Sequence, residues 1–383
     1  KIKPLLAAAM PEVSADFRTW TIKVRPGIYY QSDPAFKGKK REVVAQDFVF
    51  AAQLIVDPAT KSPLWSCVET WGVVGMAEAR KAATAAQGPF NYDKPIDGLR
   101  ALDRYTLQYT LKEPRPRFIE SIASSDLLGA QAREVVEFYG DQISAHPVGT
   151  GSFRLKQWRR SSLIVLERSP DFREEFYSAE PAADDAEGQA LLARFKGRRL
   201  PMVDEVHISI IEEAQPFWLS FLNEEIDIVA GQTGAVPGEY VNQAAPNGKL
   251  APNLAKRGLQ MKRQVNSDAV LFFFNMEDPV VGGYTADKVA LRRAVSLATN
   301  IDQLIRMGYR GQAIPAQAPI MPSTTGYGPT FKSEMSEYDP ARAKALLDMY
   351  GYVDRDGDGW REQPDGTPLV LEWHTTPDQR ARQ

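Results

Sequence analysis

The sequence predicts a mixed α/β (α+β) protein with more than one folding unit, and three observations indicate it. Period-two strand patterns and 3.6-period helix patterns interleave along the whole chain. The 383 residues exceed the length of about 250–300 at which a single core stops growing. Hydrophobic residues make up 43% and charged residues 25%, as in ordinary soluble globular proteins.

The first part of the chain opens with a strand and continues with helices. Over 19–30, Trp20, Ile22 and Val24 alternate with polar residues, which predicts a half-buried strand. Apolar residues recur at helical spacing over 44–55 and predict a helix that Asp57-Pro58 ends. The remaining elements predicted here are helices over 76–87, 118–122 and 133–139 and a strand over 105–111.

Residues 146–153 (HPVGTGSF) predict a tight connection or a domain crossing, because proline and two glycines interrupt the apolar residues. Two strand patterns follow, over 153–158 and 163–167, and predict a hairpin. A strand over 203–211, an aromatic helix over 215–222 and a strand over 226–229 follow in the order that predicts a parallel pair with a crossover helix.

The last third contains the best-specified helix. Asp339 at the N-cap, Pro340 at the first helical position and Gly351 after the end predict a helix over 339–350. The apolar run 270–275 (VLFFFN) predicts a strand buried on both faces. Helices are also predicted over 291–298 and 301–307, and a last strand over 369–373.

Charge and composition exclude several functional classes. The formal net charge of −3 gives no indication of nucleic acid as a partner. The single Cys67 excludes an intramolecular disulfide framework, and the three histidines (His146, His207, His374) are too scattered to predict a metal site. No stretch approaches the ~18 apolar residues of a membrane span. We therefore expect no cofactor, and we expect a monomer.

A few side chains are candidates for a ligand site. Amphipathic aromatic residues in loop-like stretches often line ligand surfaces, and packing in a core is the alternative interpretation. Two tryptophans stand in such a stretch, and the other candidates follow the 105–111 strand. The candidates are Trp65, Trp71, Arg117, Ser124, Ser125 and Asp126.

Residues 354–360 (DRDGDGW) form the sharpest local motif. Asp354, Asp356 and Asp358 occupy positions 1, 3 and 5 of a calcium-loop pattern, and Glu362 occupies position 9. A calcium site is one interpretation, but position 12 is Asp365 instead of the bidentate glutamate of that pattern. The sequence favours the other, a glycine-rich turn that joins helix 339–350 to strand 369–373.

Five motifs in chain order resemble the family 5 extracellular solute-binding proteins. They comprise WTIKVRPGIYY followed by VAQDFVF, HPVGTGSF followed by LIVLERSPDF, LPMVDEVHISII followed by EEIDI, FFN followed by VALRRAVSLATNID, and YDPARAKALLDMYGY. The motifs cover essentially the whole chain. Ser152, Ser169 and Glu224 depart from the family pattern, and all three stand in turns.

The resemblance implies a two-lobed periplasmic-binding-protein-like class II fold with an accessory domain. Residues 1–45 with 150–272 would form lobe one, 46–149 the accessory domain, and 273–383 the start of lobe two. The resemblance also implies a periplasmic component of an ABC importer that captures a solute between the lobes and delivers it to the membrane permease. A short peptide is the expected ligand, and nickel complexes and oligosaccharides are the other ligands of such proteins.

Two other functional classes stay open. A peptidase-like hydrolase with a two-lobed cleft would need a nucleophile–base pair or a metal, and the sequence indicates neither. A signalling receptor domain would need a fused transmembrane or kinase segment. The chain starts at Lys1 without a signal-peptide pattern and ends on a charged run, and we expect both ends to be cut. Lipid anchoring is left open.

Overall fold

The computed structural model describes residues 2–86, 88–124, 128–229, 236–265 and 268–374. The chain divides into two compact units, Lys1–Ile211 and Glu212–Gln383. No helix among the described residues has the length and apolarity needed to cross a membrane. Mixed helices and sheets agree with the predicted fold class.

A four-stranded antiparallel sheet organises the first unit. Its strands are β1 (Glu12–Val13), β2 (Thr19–Lys23), β3 (Leu99–Asp103) and β4 (Thr106–Thr110), in the order β1-β2-β4-β3. The register pairs Trp20 with Tyr109, so both aromatic rings lie on one face. Two strands of this sheet precede residue 45 in the chain and two follow it. The division into lobe one and accessory domain at residue 45 stays a prediction.

Helix α1 packs on the buried face of this sheet, and the described part of the first unit contains five further α-helices. The predicted helices over 44–55, 76–87, 118–122 and 133–139 are confirmed, with bounds that agree to within about two residues. The helices over 65–69, in the stretch interpreted as loop-like, and over 186–195 were not predicted. The helices of the first unit are α1 (Ala45–Val56), α2 (Trp65–Glu69), α3 (Met76–Ala86), α4 (Phe118–Ile122), α5 (Arg133–Tyr139) and α6 (Ala186–Phe195).

Phe118 lies at the centre of the first hydrophobic core. Its ring centroid is 5.7 Å from that of Trp20, 5.9 Å from that of Trp71 and 5.4 Å from that of Tyr109, all in edge-to-face geometry. Edge-to-face aromatic pairs add to the free energy gained by burying their area. The sheet, the 65–71 stretch and α4 therefore share one packed centre.

Asp47 joins three parts of the first unit through one buried carboxylate. Its oxygens accept from both terminal nitrogens of Arg41, at 2.7 and 3.0 Å, and from the backbone N–H of Val44 at 2.9 Å. Arg41 also donates to Glu134 of α5, at 2.5 Å. Burial opposes the charged form of Arg41, but hydrogen bonds to Asp47 and Glu134 outweigh it and raise the pKa of the guanidinium.

Glu42, which follows Arg41 in the chain, holds the loop that precedes α1 through three hydrogen bonds. Its carboxylate accepts from Arg104 at 2.8 Å, from the Gly27 backbone N–H at 2.7 Å and from the Tyr105 hydroxyl at 2.9 Å. The hydrogen bond from Arg104 and then that from Gly27 lower the pKa of Glu42 from 4.5 to about 2.

A second, three-stranded sheet ends the first unit. Strands β5 (Phe153–Arg159), β6 (Leu163–Arg168) and β7 (Glu205–Ser209) pair in that order, and both pairings are antiparallel. The predicted hairpin is confirmed. The predicted parallel pair is wrong, because β7 joins β6 in antiparallel register and 226–229 forms no strand. Chain order alone does not fix which edge a strand pairs with.

Among the described residues of the second unit, the regular elements are helices. Its helices are α7 (Ala214–Leu222), α8 (Val241–Ala244), α9 (Pro252–Lys256), α10 (Ala286–Ala298), α11 (Ile301–Met307) and α12 (Pro340–Met349). Asp339 caps α12 as predicted, accepting from the Arg342 N–H at 2.9 Å. Ala294 and Leu297 of α10 pack against Ala343 of α12 in a small core.

The other two strands predicted for the second unit, over 270–275 and 369–373, are also not formed. Residues 270–275 and 369–373 have no ladder partner among the described residues, and the Phe273 side chain is 90% exposed. Phe272 and Trp373 do contact each other, with ring centroids 5.3 Å apart. A strand buried on both faces needs neighbours at its edges, which the apolar run itself cannot supply.

We expect Asp47→Ala to lower the free energy of unfolding by roughly 3 kcal/mol, because it removes one of the two carboxylate partners of the half-buried Arg41 charge and the side-chain acceptor of the Val44 N–H. Asp97→Ala is the matched control, since Asp97 and Arg100 form an exposed pair at 3.8 Å worth below about 1 kcal/mol. Chemical denaturation followed by circular dichroism measures both. Equal losses would contradict a structural role for Asp47.

Glu42→Gln should lower the melting temperature in a pH-dependent way. The folded-state pKa of Glu42 lies below its unfolded value, so its contribution is present above about pH 4.5 and is lost as the pH falls toward about 2. The difference in melting temperature between wild type and variant should therefore be largest near neutral pH and shrink below pH 4.5. A difference that stays constant from pH 7 to pH 2.5 would refute the assignment.

Candidate functional site

Trp71 and Trp65, the two tryptophan candidates, lie in different surroundings. Trp71 is only 3% exposed and packs edge-on against Phe118 in the first core. Packing therefore accounts for Trp71 in this structure. Trp65, at the start of α2, is partly buried against the same core and keeps one side toward solvent.

A shallow cleft of about 450 Å³ lies beside Trp65, between α2 and α3. The Arg80 guanidinium carbon is 4.8 Å from the centroid of the Trp65 ring, a cation–π distance. Arg80 also donates to the carbonyls of Ile55 and Val56, at 3.3 and 3.1 Å, so it is fixed in place. Glu69, Lys81 and Thr84 are among the other side chains that line the cleft.

This cleft combines an aromatic ring with two basic groups and one acidic group. Such a lining suits a ligand with a flat or apolar part and a carboxylate. Arg80, which sequence reasoning missed, stands on the face of α3 toward Trp65. The alanine-rich sequence of α3 predicts a helix but does not show which face meets a neighbour.

Arg117 is engaged locally. Its Nε and Nη2 donate to the two carboxylate oxygens of Glu120, at 2.9 and 2.6 Å, and this pairing raises the pKa of the arginine. Both side chains are exposed. Ser124 is partly buried two residues beyond the end of α4, and Ser125 and Asp126 lie outside the described residues. The structure does not bring Arg117 together with the tryptophan candidates in one site.

The acidic loop does bring its predicted carboxylates together. One oxygen from each of Asp354, Asp356, Asp358 and Glu362 lies within 4.8 Å of the others. Asp354 accepts the backbone N–H groups of Gly357 and Gly359, at 2.7 and 2.9 Å, which is the hydrogen bonding of a glycine-rich turn. Asp365 is not part of this group; it accepts from Thr367. A calcium site stays the less favoured of the two interpretations, and the turn stays the favoured one.

A larger groove of about 980 Å³ lies elsewhere in the first unit. Residues 148–153 form one wall, and side chains from 172–203 form the other. Its volume is within the range of about 300–1,000 Å³ that small-molecule sites occupy. The apolar side chains that line it include Leu5, Leu6, Val148, Phe153, Phe172, Leu191, Phe195 and Met202.

The charged side chains that line this groove are one arginine and one glutamate. Arg173 pairs with Glu175 at 2.7 Å, so their charges offset each other. A neutral, apolar lining of this kind accommodates aliphatic or aromatic groups better than ions. The sequence marked 146–153 as a connection but gave no sign of the groove, because its second wall comes from residues about 20–50 positions further along.

Comparison with known proteins places the chain in a family. All 383 residues match the family model described as bacterial extracellular solute-binding proteins, family 5 Middle. The glutathione-binding protein GsiB of Pectobacterium atrosepticum is 23% identical over 351 residues, covering 89% of this chain and 51% of that protein. The di/tripeptide-binding protein 2 of Pseudomonas aeruginosa is 23% identical over 352 residues, covering 91% and 55%.

Solved structures show the same fold. DppA of Helicobacter pylori, in complex with the peptide STSA, has a TM-score of 0.60 at 22% identity and covers 92% of this chain and 58% of its own. OppA of Haemophilus influenzae, in complex with RPPGFSPFR, has a TM-score of 0.58 at 21% identity, with 92% and 59% covered. The chain thus spans about half to three fifths of these relatives. The predicted resemblance is confirmed, and the chain belongs to the family 5 bacterial extracellular solute-binding proteins.

Proposed function

We propose that this chain belongs to the solute-binding component of an ABC importer, which captures a short peptide outside the cytoplasm and delivers it to a membrane permease. The observation that carries the proposal is the family match over every residue. A binding protein needs no bond-making chemistry, and its work is burial of the ligand with a shift between open and closed conformations.

The names of several relatives support a peptide as the ligand class. Relatives in three genera are described as binding glutathione, di- and tripeptides or oligopeptides. Glutathione is itself a tripeptide, so these ligands share a backbone amide and terminal charges. The family is one of binding proteins, and we therefore do not propose the hydrolase.

Trp65 is the ligand contact that we propose from the first unit. The cleft at its ring faces solvent, and Arg80 and Lys81 give it positive charge that suits a peptide carboxylate. Arg80 is fixed by two backbone carbonyls, so placing its charge costs little further side-chain entropy when a ligand arrives.

A thermal-shift screen of the natural-length protein tests the ligand class. Di- to pentapeptides are compared with oligosaccharides and nickel chelates. Each peptide is recovered after the assay, and mass spectrometry checks that it is intact. A peptide at a hundred times its Kd should stabilise the protein by about 2.7 kcal/mol, a shift of several degrees. Peptides that are cleaved during the assay would refute the binding-protein assignment, and shifts with sugars or chelates alone would refute the peptide.

Trp65→Ala in that protein should raise the Kd for a responding peptide about tenfold. It should change the melting temperature little, because Trp65 is only partly buried. Trp71→Ala should instead lower the free energy of unfolding by about 3–5 kcal/mol through the core cavity that it leaves. Trp360→Ala, at an exposed tryptophan of the second unit, is the control and should change neither. Unchanged affinity in Trp65→Ala, measured by calorimetry, would remove Trp65 from the site.

A further inference from the structure

Residues 147–152 (PVGTGS) connect the first core to the second sheet, and their composition would suit a hinge. A hinge needs backbone that changes its φ and ψ angles freely, without breaking many hydrogen bonds. The contacts of this segment can therefore distinguish a hinge from a fixed connection.

Gln31 binds the segment from one side. Its backbone N–H donates to the carbonyl of Gly149 at 2.9 Å, and its side-chain amide donates to the carbonyl of Pro147 at 3.1 Å. One residue thus occupies two acceptors of the segment. Gln31 follows the extended stretch that includes Tyr30, whose backbone N–H donates to the carbonyl of Arg41, so it is anchored to the first core.

Residues 169–173 bind the segment from the other side. The Ser169 N–H donates to the Ser152 carbonyl at 2.9 Å, and Arg173 donates to the Thr150 carbonyl at 3.3 Å. Asp171 then joins the two flanks, because its carboxylate accepts from the Ser32 N–H at 2.8 Å. Four of the six backbone carbonyls of the segment accept a hydrogen bond. The two groups of donors are linked to each other by the hydrogen bond between Ser32 and Asp171.

The two glycines do not use the backbone freedom that distinguishes glycine. Neither Gly149 nor Gly151 is among the residues with positive φ. A Cβ added at Gly149 would meet nothing within 4 Å, and one at Gly151 would meet only the Phe153 carbonyl oxygen, at 3.8 Å. Alanine could therefore adopt this backbone at both positions.

We infer that residues 147–152 form a fixed strap, closed as one unit through Gln31, Asp171 and Arg173, and that they are not a hinge. The strap includes most of one wall of the 980 Å³ groove, so it also fixes the width of that groove. Any conformational change that accompanies ligand binding would then bend the chain elsewhere. The inference concerns the unliganded chain and does not depend on the proposed function.

Amide hydrogen exchange on the 383-residue chain tests the strap. Asp171→Ala removes only the acceptor of the Ser32 N–H, and a strap that opens as one unit should then exchange about fivefold faster at Gln31, Ser32 and Ser169 alike. Asp171→Asn, which keeps an acceptor oxygen, should have a much smaller effect. The Val24 amide, bonded to the Tyr105 carbonyl at 2.7 Å, is the reference and should not change.

Two results of this experiment would overturn the inference. Acceleration at Ser32 alone would mean that the contacts are independent, and equal acceleration at Val24 would mean that the segment opens only with the whole unit. The Gly149→Ala and Gly151→Ala variants provide a second test. A strap predicts unchanged or slower exchange at Gln31 and Ser169 and an unchanged or higher melting temperature, because alanine restricts mainly the unfolded chain. Faster exchange in either variant would also overturn it.

Discussion

The buried carboxylate of Asp47 is the constraint on which the first unit depends. It caps the start of α1 through the Val44 N–H, and it holds the Arg41 guanidinium that also reaches Glu134 of α5. A partly buried ion pair stabilises a fold only when its remaining donors and acceptors are satisfied, and here each charge has more than one partner. Burial and then the charge of Asp47 raise the pKa of the neighbouring Tyr30 phenol.

The first unit also contains the Trp65 cleft and the larger groove. The Trp65 cleft lies on the outside of the Phe118 core, so the aromatic packing that buries Trp71 also sets the position of α2 and its exposed tryptophan face. The larger groove depends on the strap, because a wall of six residues keeps its shape only if its backbone is bonded on both flanks. In both places a rigid interior positions an open surface, which is how binding proteins keep the entropic cost of binding low.

Local sequence signals predicted most elements of this protein, and the failures have a common cause. The caps of α12, the spacing in α1 and the turn between β5 and β6 act within a few residues, so their interactions are encoded next to each other. The parallel pair at 203–229 and the buried strand at 270–275 required a choice of neighbour from a distant part of the chain. Among the site candidates, the acidic loop came together because its spacing is local, whereas Arg80 beside Trp65 and the two walls of the groove gave no local signal.

The sequence by itself determined the family, the fold class and the boundaries of most of the helices that it predicted, because motif spacing, capping residues and hydrophobic period are short-range properties. Only the tertiary structure decided that Trp71 is a core residue while Trp65 borders a cleft, since both stand in one loop-like stretch with the same composition around them. It also decided that a segment with two glycines is bonded on both sides. Burial and long-range hydrogen bonds depend on which residues the fold brings together, and no pattern within the segment carries that information.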